Sequence, residues 1–503
     1  MKAMTRRDFM RLGGGCAVAA AVRRTARAEG EAERPNVLFV AIDDLNDYVG
    51  CLGGHPQTRT PHLDKLARES MLFANAHCPA PACLPSRTAI MTGRAPYSTG
   101  VYVNSQHWRT VLPEAVTLAR HFMNHGYTCA GAGKIFHHYQ NDPDSWHAFY
   151  PTKKLQFPNW HVPPRDRQAD FPRWKGMYTA FNWGPLDVPD EKTGDYQCVR
   201  YVGEKLARTH DKPFFLACGI YHPHVPWFVP RKYFDLFPLE KVQLPPIRED
   251  DAADLPPAGQ ARVRNDGYYR RMVQYGKRKE TVQAYLAATA YADAMVGELL
   301  KRLTRSAHAD NTIVVLWSDH GWHLGEKHCY RKFTLWEESC RIPLMIRLPR
   351  SMAPSGRTGR CDRPVNLLDL YPTLVELCGL TKRPELDGHS LVPLLKDPQA
   401  AWPHASITTY RRGCHSVRTR RWRYIRYADG GEELYDHAAD PHEWRNLAGD
   451  EAYAAAKRTM KARLPRRDAP LVKTPNYDAR KAAREAYDSL RKKTSAGSEG
   501  RDE

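Results

Sequence analysis

The 503-residue sequence lacks several features that would point to particular protein classes. We count no run of about 18 apolar residues, so we expect no transmembrane helix. It has no zinc-finger or similar nucleic-acid motif and no internal repeat. With 42 % apolar and 26 % charged residues, its composition is that of a globular protein. These features argue against a membrane-spanning protein, a repeat protein and a nucleic-acid partner.

The formal net charge of +19 is concentrated at the two ends of the chain. Residues 1–28 and residues 451–503 each carry a net charge of +6, which leaves +7 for the body between them. The excess charge is therefore no argument for nucleic-acid binding. A moderately basic body suits an acidic substrate.

Residues 1–28 have the pattern of an export signal. Arg6 and Arg7 precede a stretch rich in Gly and Ala, and Ala26-Arg27-Ala28 offers a cleavage site between small residues. We predict twin-arginine export from a bacterial cell, so that the mature protein is periplasmic or secreted. The alternative is a disordered basic N-terminus.

The twelve cysteines leave the disulfide content open. Without Cys16 in the leader and Cys83 in a candidate site, ten remain, which is an even number in an exported chain. A few disulfides and ten reduced, buried thiols are equal alternatives.

Short apolar runs alternate with helical patterns along most of the chain. Such alternation predicts an α/β sheet that is buried on both faces, with the active site beyond the carboxyl ends of its strands. Charged residues follow each of four predicted strands: Asn36–Ile42, Tyr127–Gly131, Pro213–Ile220 and Asn311–Trp317. The helical patterns between them include Pro61–Ser70, Val116–Asn124 and Thr281–Leu303.

Changes in composition and hydrophobic pattern along the chain predict its domain boundaries. We expect a catalytic domain over 34–385, interrupted by long loops at 139–200 and 240–280. A smaller C-terminal subdomain over 386–465 follows, with antiparallel strands within His415–Arg426 and Glu432–Tyr435. A basic, mobile tail covers 466–503.

The segment Cys83-Leu84-Pro85-Ser86-Arg87 predicts the start of a helix. Pro85 suits a first helical turn, and Gly93 is a natural stop signal. Cys83 then lies where backbone N–H groups and the helix dipole favour negative charge. This is a place for an anion, or for a nucleophile that attacks one.

Carboxylates at two strand ends indicate a divalent cation. Asp43 and Asp44 are adjacent, and neighbouring anions repel each other unless a cation lies between them. Taken alone, the pair fits a helix cap and a surface Asp better, but Asp319 at a second strand end favours metal. Lys134 and His137 share a face at helical spacing and could bind an oxyanion and transfer a proton, or form a surface pair. His224 and Lys332 are isolated signals.

Together these motifs resemble the sulfatases of the alkaline phosphatase superfamily. The resemblance covers most of residues 34–450 and rests on C-x-P-S-R, an early Asp-Asp, G-K-x-x-H and S-D-H-G. Several segments also resemble the iduronate-2-sulfatases and their bacterial relatives. The resemblance implies a large, mixed, mostly parallel central sheet flanked by helices, with a smaller C-terminal α+β subdomain.

The resemblance also implies residue roles. Cys83 would be oxidised to formylglycine by a maturation enzyme, and Ca²⁺ would be held by residue 83 with Asp43, Asp44, Asp319 and His320, unless His320 hydrogen-bonds the bound oxyanion instead. Arg87 would stabilise the aldehyde hydrate, Lys134 and Lys332 would bind sulfate, and His137 would be a base. His224 would contact sulfate and be the leaving-group acid, a role that Lys332 could share. Predicted substrate contacts, for which ordinary packing is the alternative, are Asn104, His107, Trp108, Arg109, Trp322 and His323.

The expected activity is hydrolysis of sulfate esters on sulfated sugars, such as glycosaminoglycan-like or algal polysaccharides. One alternative is hydrolysis of phosphodiesters or phosphonate monoesters at the same site. The other is a non-catalytic binder of sulfated glycans in which Cys83 stays unmodified.

Overall fold

The computed structural model describes residues 34–137, 140–153, 181–350, 352–353 and 358–474. The predicted export signal and the end of the predicted tail lie outside these residues. Among the helices in the described ranges, none is long and apolar enough to cross a membrane.

An eight-stranded sheet forms the centre of the fold. Seven of its strands run in one direction, and only Leu344–Arg347 is antiparallel to its two neighbours. The strands lie in the spatial order Gly359–Cys361, Met71–Phe73, Leu344–Arg347, Thr312–Ser318, Asn36–Ile42, Phe214–Ile220, Thr128–Gly133 and Ala148–Tyr150. This confirms the predicted mixed, mostly parallel sheet.

The central strands are apolar throughout because helices cover both faces of the sheet. Along Asn36–Ile42, Leu38 and Val40 join one buried cluster, whereas Val37 and Phe39 join the cluster on the other face. Side chains of successive strand residues point to opposite faces, so a strand between two helical layers needs an unbroken apolar run. Each fully buried side chain of this size contributes roughly 1.5–3 kcal/mol.

The helices connect the strands and cover the sheet. Arg278–Thr304 is the longest and packs in the same core layer as Pro61–Arg68 and Gly194–Leu206. The remaining α-helices are Cys83–Thr92, Pro96–Thr99, Trp108–Val111, Leu118–Asn124, Arg231–Phe234, Pro257–Asn265, Gly267–Gln274, Glu337–Cys340, Leu370–Leu377, Val392–Lys396 and Ala454–Lys461. The loop predicted over 240–280 is wrong in part, because two of these helices lie within it.

A four-stranded antiparallel sheet follows the central fold, as expected from the C-terminal pattern. Its strands are Ser406–Thr409, His415–Arg418, Trp422–Arg426 and Glu432–Asp436. The fully buried Arg423 attaches it to the central fold through an ion pair with Glu337, and it also pairs with Glu443 of the C-terminal subdomain itself. Three two-stranded sheets pair Ala76–His77 with Val365–Asn366, Trp183–Leu186 with Trp227–Pro230, and His323–Leu324 with Tyr330–Arg331.

The structure bears on two expectations from the sequence, the state of the cysteines and the position of the tail. The eleven cysteines in the described residues are all free thiols, nine of them buried, so the structure favours the reduced alternative. The mobility of the tail stays a prediction, and its first residues contact the loop after the nucleophile helix, where the backbone N–H of Ala469 donates to the carbonyl of Tyr97 at 2.7 Å.

Candidate active site

The helix Cys83–Thr92 places Cys83 at its first position, beyond the carboxyl edge of the central sheet. Ala82 is the extended residue before the helix, and Pro85 lies in the first turn, where a missing N–H breaks no helical hydrogen bond. The helix ends at Gly93, whose φ of 68° is a left-handed conformation that glycine adopts without strain. The Cys83 side chain is buried, as are all ten residues of the helix.

The three carboxylates come together because their strands are neighbours in register. Ile42 pairs with Ser318, so Asp43 and Asp319 leave the sheet side by side. The backbone N–H of Asp44 donates to Asp319 Oδ1 at 3.1 Å, and Asp44 adopts φ 61°. A non-glycine residue in this left-handed region is strained, and such strain is found often at functional sites.

The Arg87 guanidinium binds two of these three carboxylates. Its Nε donates to Asp319 Oδ2 at 2.8 Å, and its Nη2 donates to Asp43 Oδ1 at 3.1 Å. Nη1 donates to the carbonyls of Lys134 and, at 3.1 Å, Ile135. The guanidinium is fully buried, and its fork of donors ties the nucleophile helix to three strand ends.

Positive groups surround the Cys83 sulfur. Lys332 Nζ lies 3.0 Å from Sγ, His320 Nε2 3.2 Å and Lys134 Nζ 3.7 Å. His137 also hydrogen-bonds to this sulfur. Sequence reasoning named all four residues, and the structure brings all four to residue 83.

The same ammonium groups pair with the carboxylates. Lys332 Nζ is 2.7 Å from Asp44 Oδ1, and Lys134 forms an ion pair with Asp43. Burial opposes ionisation of Asp43, but Lys134, His224 and Arg87 together hold the pKa of Asp43 well below its usual range. Burial also opposes ionisation of Cys83, but Lys134 and Lys332 lower the pKa of its thiol. The site is therefore strongly polarised and stabilises negative charge at position 83.

Besides His320, two further histidines lie at the site, and they differ in their contacts. Burial lowers the pKa of His137 to about 4, so its imidazole is neutral at neutral pH. His224 has Nδ1 2.5 Å from the hydroxyl of Tyr221, and its Nε2 faces Asp44 Oδ2 at 3.8 Å. Burial lowers the pKa of His224 as well.

Four side chains come close enough to share one metal ion. Asp43, Asp44, Cys83 and His320 each offer a ligand atom, and these four atoms lie within 4.8 Å of one another. Asp44 Oδ2 is buried and accepts no hydrogen bond. Asp319 borders this group, but its carboxylate is engaged by Arg87 and by the N–H groups of Asp44 and His320.

The predicted substrate contacts separate into two groups. Trp108, Trp322 and His323 are buried within the protein: Trp108 stacks on Phe136, Trp322 packs in the core, and His323 Nε2 is 2.7 Å from Thr334 Oγ1. These contacts fit the packing alternative. Direct contact with a sugar stays a prediction, since Cys83 and the lysines around it are equally buried.

Asn104, His107 and Arg109 are more accessible. Asn104 Oδ1 accepts from the backbone N–H of Leu84 at 3.0 Å, beside Cys83. Arg109 forms an ion pair with Asp142 at 2.7 Å and donates to three backbone carbonyls, so its guanidinium is committed to the loop that carries it. Asn104 thus hydrogen-bonds directly to the nucleophile helix.

Some supporting residues were missed by sequence reasoning. Ser86 Oγ donates to the carbonyl of Asp319 at 2.6 Å, and its position inside C-x-P-S-R was a signal for it. Tyr285 Oη donates to the carbonyl of Asp44 at 2.7 Å and accepts from the N–H of Asn46. Tyr285 belongs to the long helix Arg278–Thr304, where an apolar pattern offers no hint of such a role.

Comparisons with known proteins agree with this geometry. The profile of the family described as "Sulfatase" matches residues 35–380, and that of "N-sulphoglucosamine sulphohydrolase, C-terminal" matches residues 325–469. A "Sulfatase" of Formosa agariphila is 36 % identical over 494 residues, covering 94 % of each chain. "Iduronate 2-sulfatase" of Mus musculus is 31 % identical, covering 77 % of this chain and 76 % of its own.

The fold is also similar to that of solved structures. A phosphonate monoester hydrolase from Silicibacter pomeroyi superposes with a TM-score of 0.70 at 22 % identity, covering 85 % of this chain and 94 % of its own. At this identity the likeness concerns the fold alone.

Proposed function

The chain belongs to the sulfatase family and is a sulfuric ester hydrolase, and we propose that it acts on sugar sulfates with a formylglycine nucleophile made from Cys83 and a calcium ion. The observation that carries the proposal is the convergence of Lys134, Lys332 and His320 on Cys83 Sγ, next to buried carboxylates. A sulfate group needs such a concentration of positive charge and hydrogen-bond donors.

The residues present fit a calcium ion. Calcium prefers hard oxygen ligands, and Asp43 and Asp44 supply carboxylates at one point, with the Asp319 carboxylate bordering them. Asp44 Oδ2, which accepts no hydrogen bond, supports the fit, since a buried carboxylate oxygen normally has a hydrogen-bond donor or a bound cation. Residue 83 would complete the set once its sulfur is replaced by oxygen, and His320 Nε2 lies close enough to join.

The position of Cys83 fits conversion to formylglycine. The conversion replaces a thiol with an aldehyde, whose hydrate offers one hydroxyl for attack and a second for release of sulfate. An unmodified thiol would instead form a thiosulfate ester that turns over poorly. The maturation enzyme that would modify Cys83 is implied by the family.

The side chains of this protein divide the remaining work. Lys134 and Lys332 hold positive charge against the sulfate oxygens, and Arg87 keeps Asp43 and Asp319 in place. His137, at the Cys83 sulfur, is the base for the second hydroxyl. His224 turns Nε2 towards the site, and we assign it, with Lys332, to the oxygen that leaves with the sugar. When bound, calcium would add Lewis-acid polarisation of the sulfate group.

The proposed sugar substrate is inferred from relatives and is given only as a class of compound. A relative is named for iduronate, and a moderately basic body suits anionic polysaccharides. Polysaccharides are degraded outside the cytoplasm, which agrees with the export signal predicted in residues 1–28.

Mass spectrometry and kinetics test the proposal together. Protein from a host with a maturation enzyme should carry formylglycine at position 83 and hydrolyse sulfated oligosaccharides, while Cys83→Ala should lose turnover and keep its fold. Asp250→Asn, at an exposed carboxylate to which no catalytic role is assigned, is the matched control. Modified protein without sulfatase activity, or full activity in Cys83→Ala, would refute the proposal.

A second candidate, left open by the cationic groups around Cys83, is hydrolysis of phosphonate monoesters or phosphodiesters. The same cationic groups can stabilise charge on phosphorus oxyanions. Aryl sulfate, phosphonate and phosphodiester substrates compared side by side decide between the two, and a higher kcat/KM for either phosphorus ester would favour this candidate.

A further inference from the structure

The segment Asp468–Thr474, here called the C-terminal strap, lies across the loop Tyr97–His107 that follows the nucleophile helix. Asp468 anchors its beginning through a hydrogen bond between its Oδ2 and His415 Nε2 at 3.2 Å. Four hydrogen bonds then join strap and loop: Ala469 N to the carbonyl of Tyr97 (2.7 Å), Tyr102 Oη to the carbonyl of Ala469 (2.8 Å), Gln106 Nε2 to the carbonyl of Val472 (2.9 Å) and His107 N to Thr474 Oγ1 (2.9 Å).

The loop is shaped to receive the strap. Gly100 has φ 78°, and a Cβ at this position would lie 2.3 Å from the carbonyl oxygen of Pro470. Only glycine fits both the left-handed backbone and the close approach. The backbone at Gly100 therefore fits the close approach of the strap, although the strap itself lies on the surface.

Gln106 connects the strap to the interior. Its side chain is 3 % exposed and makes four hydrogen bonds. Oε1 accepts from the N–H groups of Tyr102 and Val103, and Nε2 donates to the carbonyls of Gly100 and Val472. Removing the strap takes one partner from a buried amide whose hydrogen-bonding capacity is otherwise filled.

Gln140 continues the connection towards the catalytic groups. Its Nε2 donates to the carbonyl of Gln106 at 3.0 Å, and its Oε1 accepts from the N–H of Trp108 at 3.1 Å. Its own backbone N–H donates to the carbonyl of His137 at 3.0 Å. Gln140 is 3 % exposed, so these contacts lie in the interior.

The loop also reaches the nucleophile helix directly. Asn104, two residues before Gln106, accepts from the N–H of Leu84 at 3.0 Å. This N–H lies next to Cys83, in the first turn of the helix. The strapped loop therefore contacts the segments that carry both Cys83 and His137.

We propose that the C-terminal strap, through Gln106 and Gln140, positions His137 and the start of the nucleophile helix for sulfate-ester hydrolysis. Gln106 and Gln140 are positioning residues, since they act through the backbone at His137 and Cys83. The inference rests on the catalytic roles proposed above. Misplacement of a reacting group by about 1 Å can cost about 10²-fold in rate, so a surface segment can matter for catalysis in this way.

Two truncations isolate the strap. A chain that stops after Thr474 keeps every strap contact, whereas a chain that stops after Arg467 loses them all. With an aryl sulfate and protein verified to carry formylglycine, we expect the Thr474 stop to retain kcat within about twofold. We expect the Arg467 stop to lower kcat at least about tenfold with KM changed less than about twofold. A synthetic peptide of residues 464–474, added to the Arg467 stop, should restore part of kcat.

A mutant cycle tests the route through Gln140. Gln140→Glu keeps the acceptor for Trp108 N–H but loses the donor to the carbonyl of Gln106. We expect it to lower kcat in the full chain, and to cost less than about twofold more in the Arg467 stop, because both changes break one connection.

The outcomes separate positioning from mere stability. A lower melting temperature with unchanged kcat per folded molecule in the Arg467 stop, or strictly additive losses in the cycle, would overturn the proposal. The failure of the proposed function is distinct, because the full chain with formylglycine at position 83 would then itself be inactive on sulfate esters.

Discussion

Replacement of Asp44 by Asn tests the cation site with little change in shape. The amide keeps an oxygen that can accept from Lys332, which lies 2.7 Å from Asp44 Oδ1. It replaces Oδ2, the buried oxygen without a hydrogen-bond partner, by an NH₂ group that cannot bind a cation. The variant should therefore fold but lose its response to calcium.

The magnitude follows from linkage. A ligand that binds only the folded protein at 100 times its Kd stabilises it by about 2.7 kcal/mol. Unfolding entropy is about 2.1 cal/mol/K per residue, or about 1 kcal/mol/K for a unit of this size, so calcium should raise the melting temperature of the parent by about 3 °C. In Asp44→Asn we expect a rise below about 1 °C under the same conditions.

Differential scanning fluorimetry measures this effect, with calcium added to protein stripped by a chelator and with magnesium run in parallel. Asp250→Asn, which changes an exposed carboxylate, is the control and should keep the full response. An equal calcium shift in Asp44→Asn and the parent would show that the ion binds elsewhere. No shift in the parent at millimolar calcium would count against a calcium site formed by these carboxylates.

Further predictions concern the guanidinium of Arg87, the buried carboxyl of Asp293 and the buried indole of Trp322. Arg87→Lys cannot serve both carboxylates and the two carbonyls, and each buried acceptor left unpaired costs about 1–3 kcal/mol; its melting temperature should fall by several degrees, and an unchanged value would contradict the fork. Burial raises the pKa of Asp293 to about 7, although the N–H groups of His62 and Leu63 oppose the shift. The unfolded chain then loses this proton near pH 4 and the folded chain near pH 7, so this group lowers stability as pH rises between them. Asp293→Asn should flatten the melting-temperature profile over that range, and parallel profiles would refute the assignment. Trp322→Phe should lower the melting temperature without changing KM. A raised KM with an unchanged melting temperature would instead support stacking of Trp322 on the substrate.

Much of the site was predictable because its chemistry is local in sequence. Asp43, Asp44 and Asp319 each follow an apolar run, and parallel neighbouring strands bring their carboxyl ends to one edge. Cys83 and Arg87 share one helix, four residues apart, so the helical repeat brings them to the same side. Residue type and spacing were sufficient for these positions.

Other features depend on contacts between distant segments. Trp322 and His323 follow the metal motif directly, but the packing of Trp227 and Thr334 against them decides that they are core residues. Likewise, the reduced state of the cysteines depends on which segments adjoin each thiol.

The sequence by itself determined the sheet, the nucleophile helix and the set of charged residues at the strand ends, because periodicity and motif spacing act over a few residues. Only the tertiary structure decided that the C-terminal strap contacts the loop Tyr97–His107, and that Gln106 and Gln140 link the strap to His137. Hydrogen bonds between residues more than 300 positions apart, such as that between Gln106 and Val472, leave no local pattern in the chain. They form only when folding has brought both partners to one place and excluded water from between them.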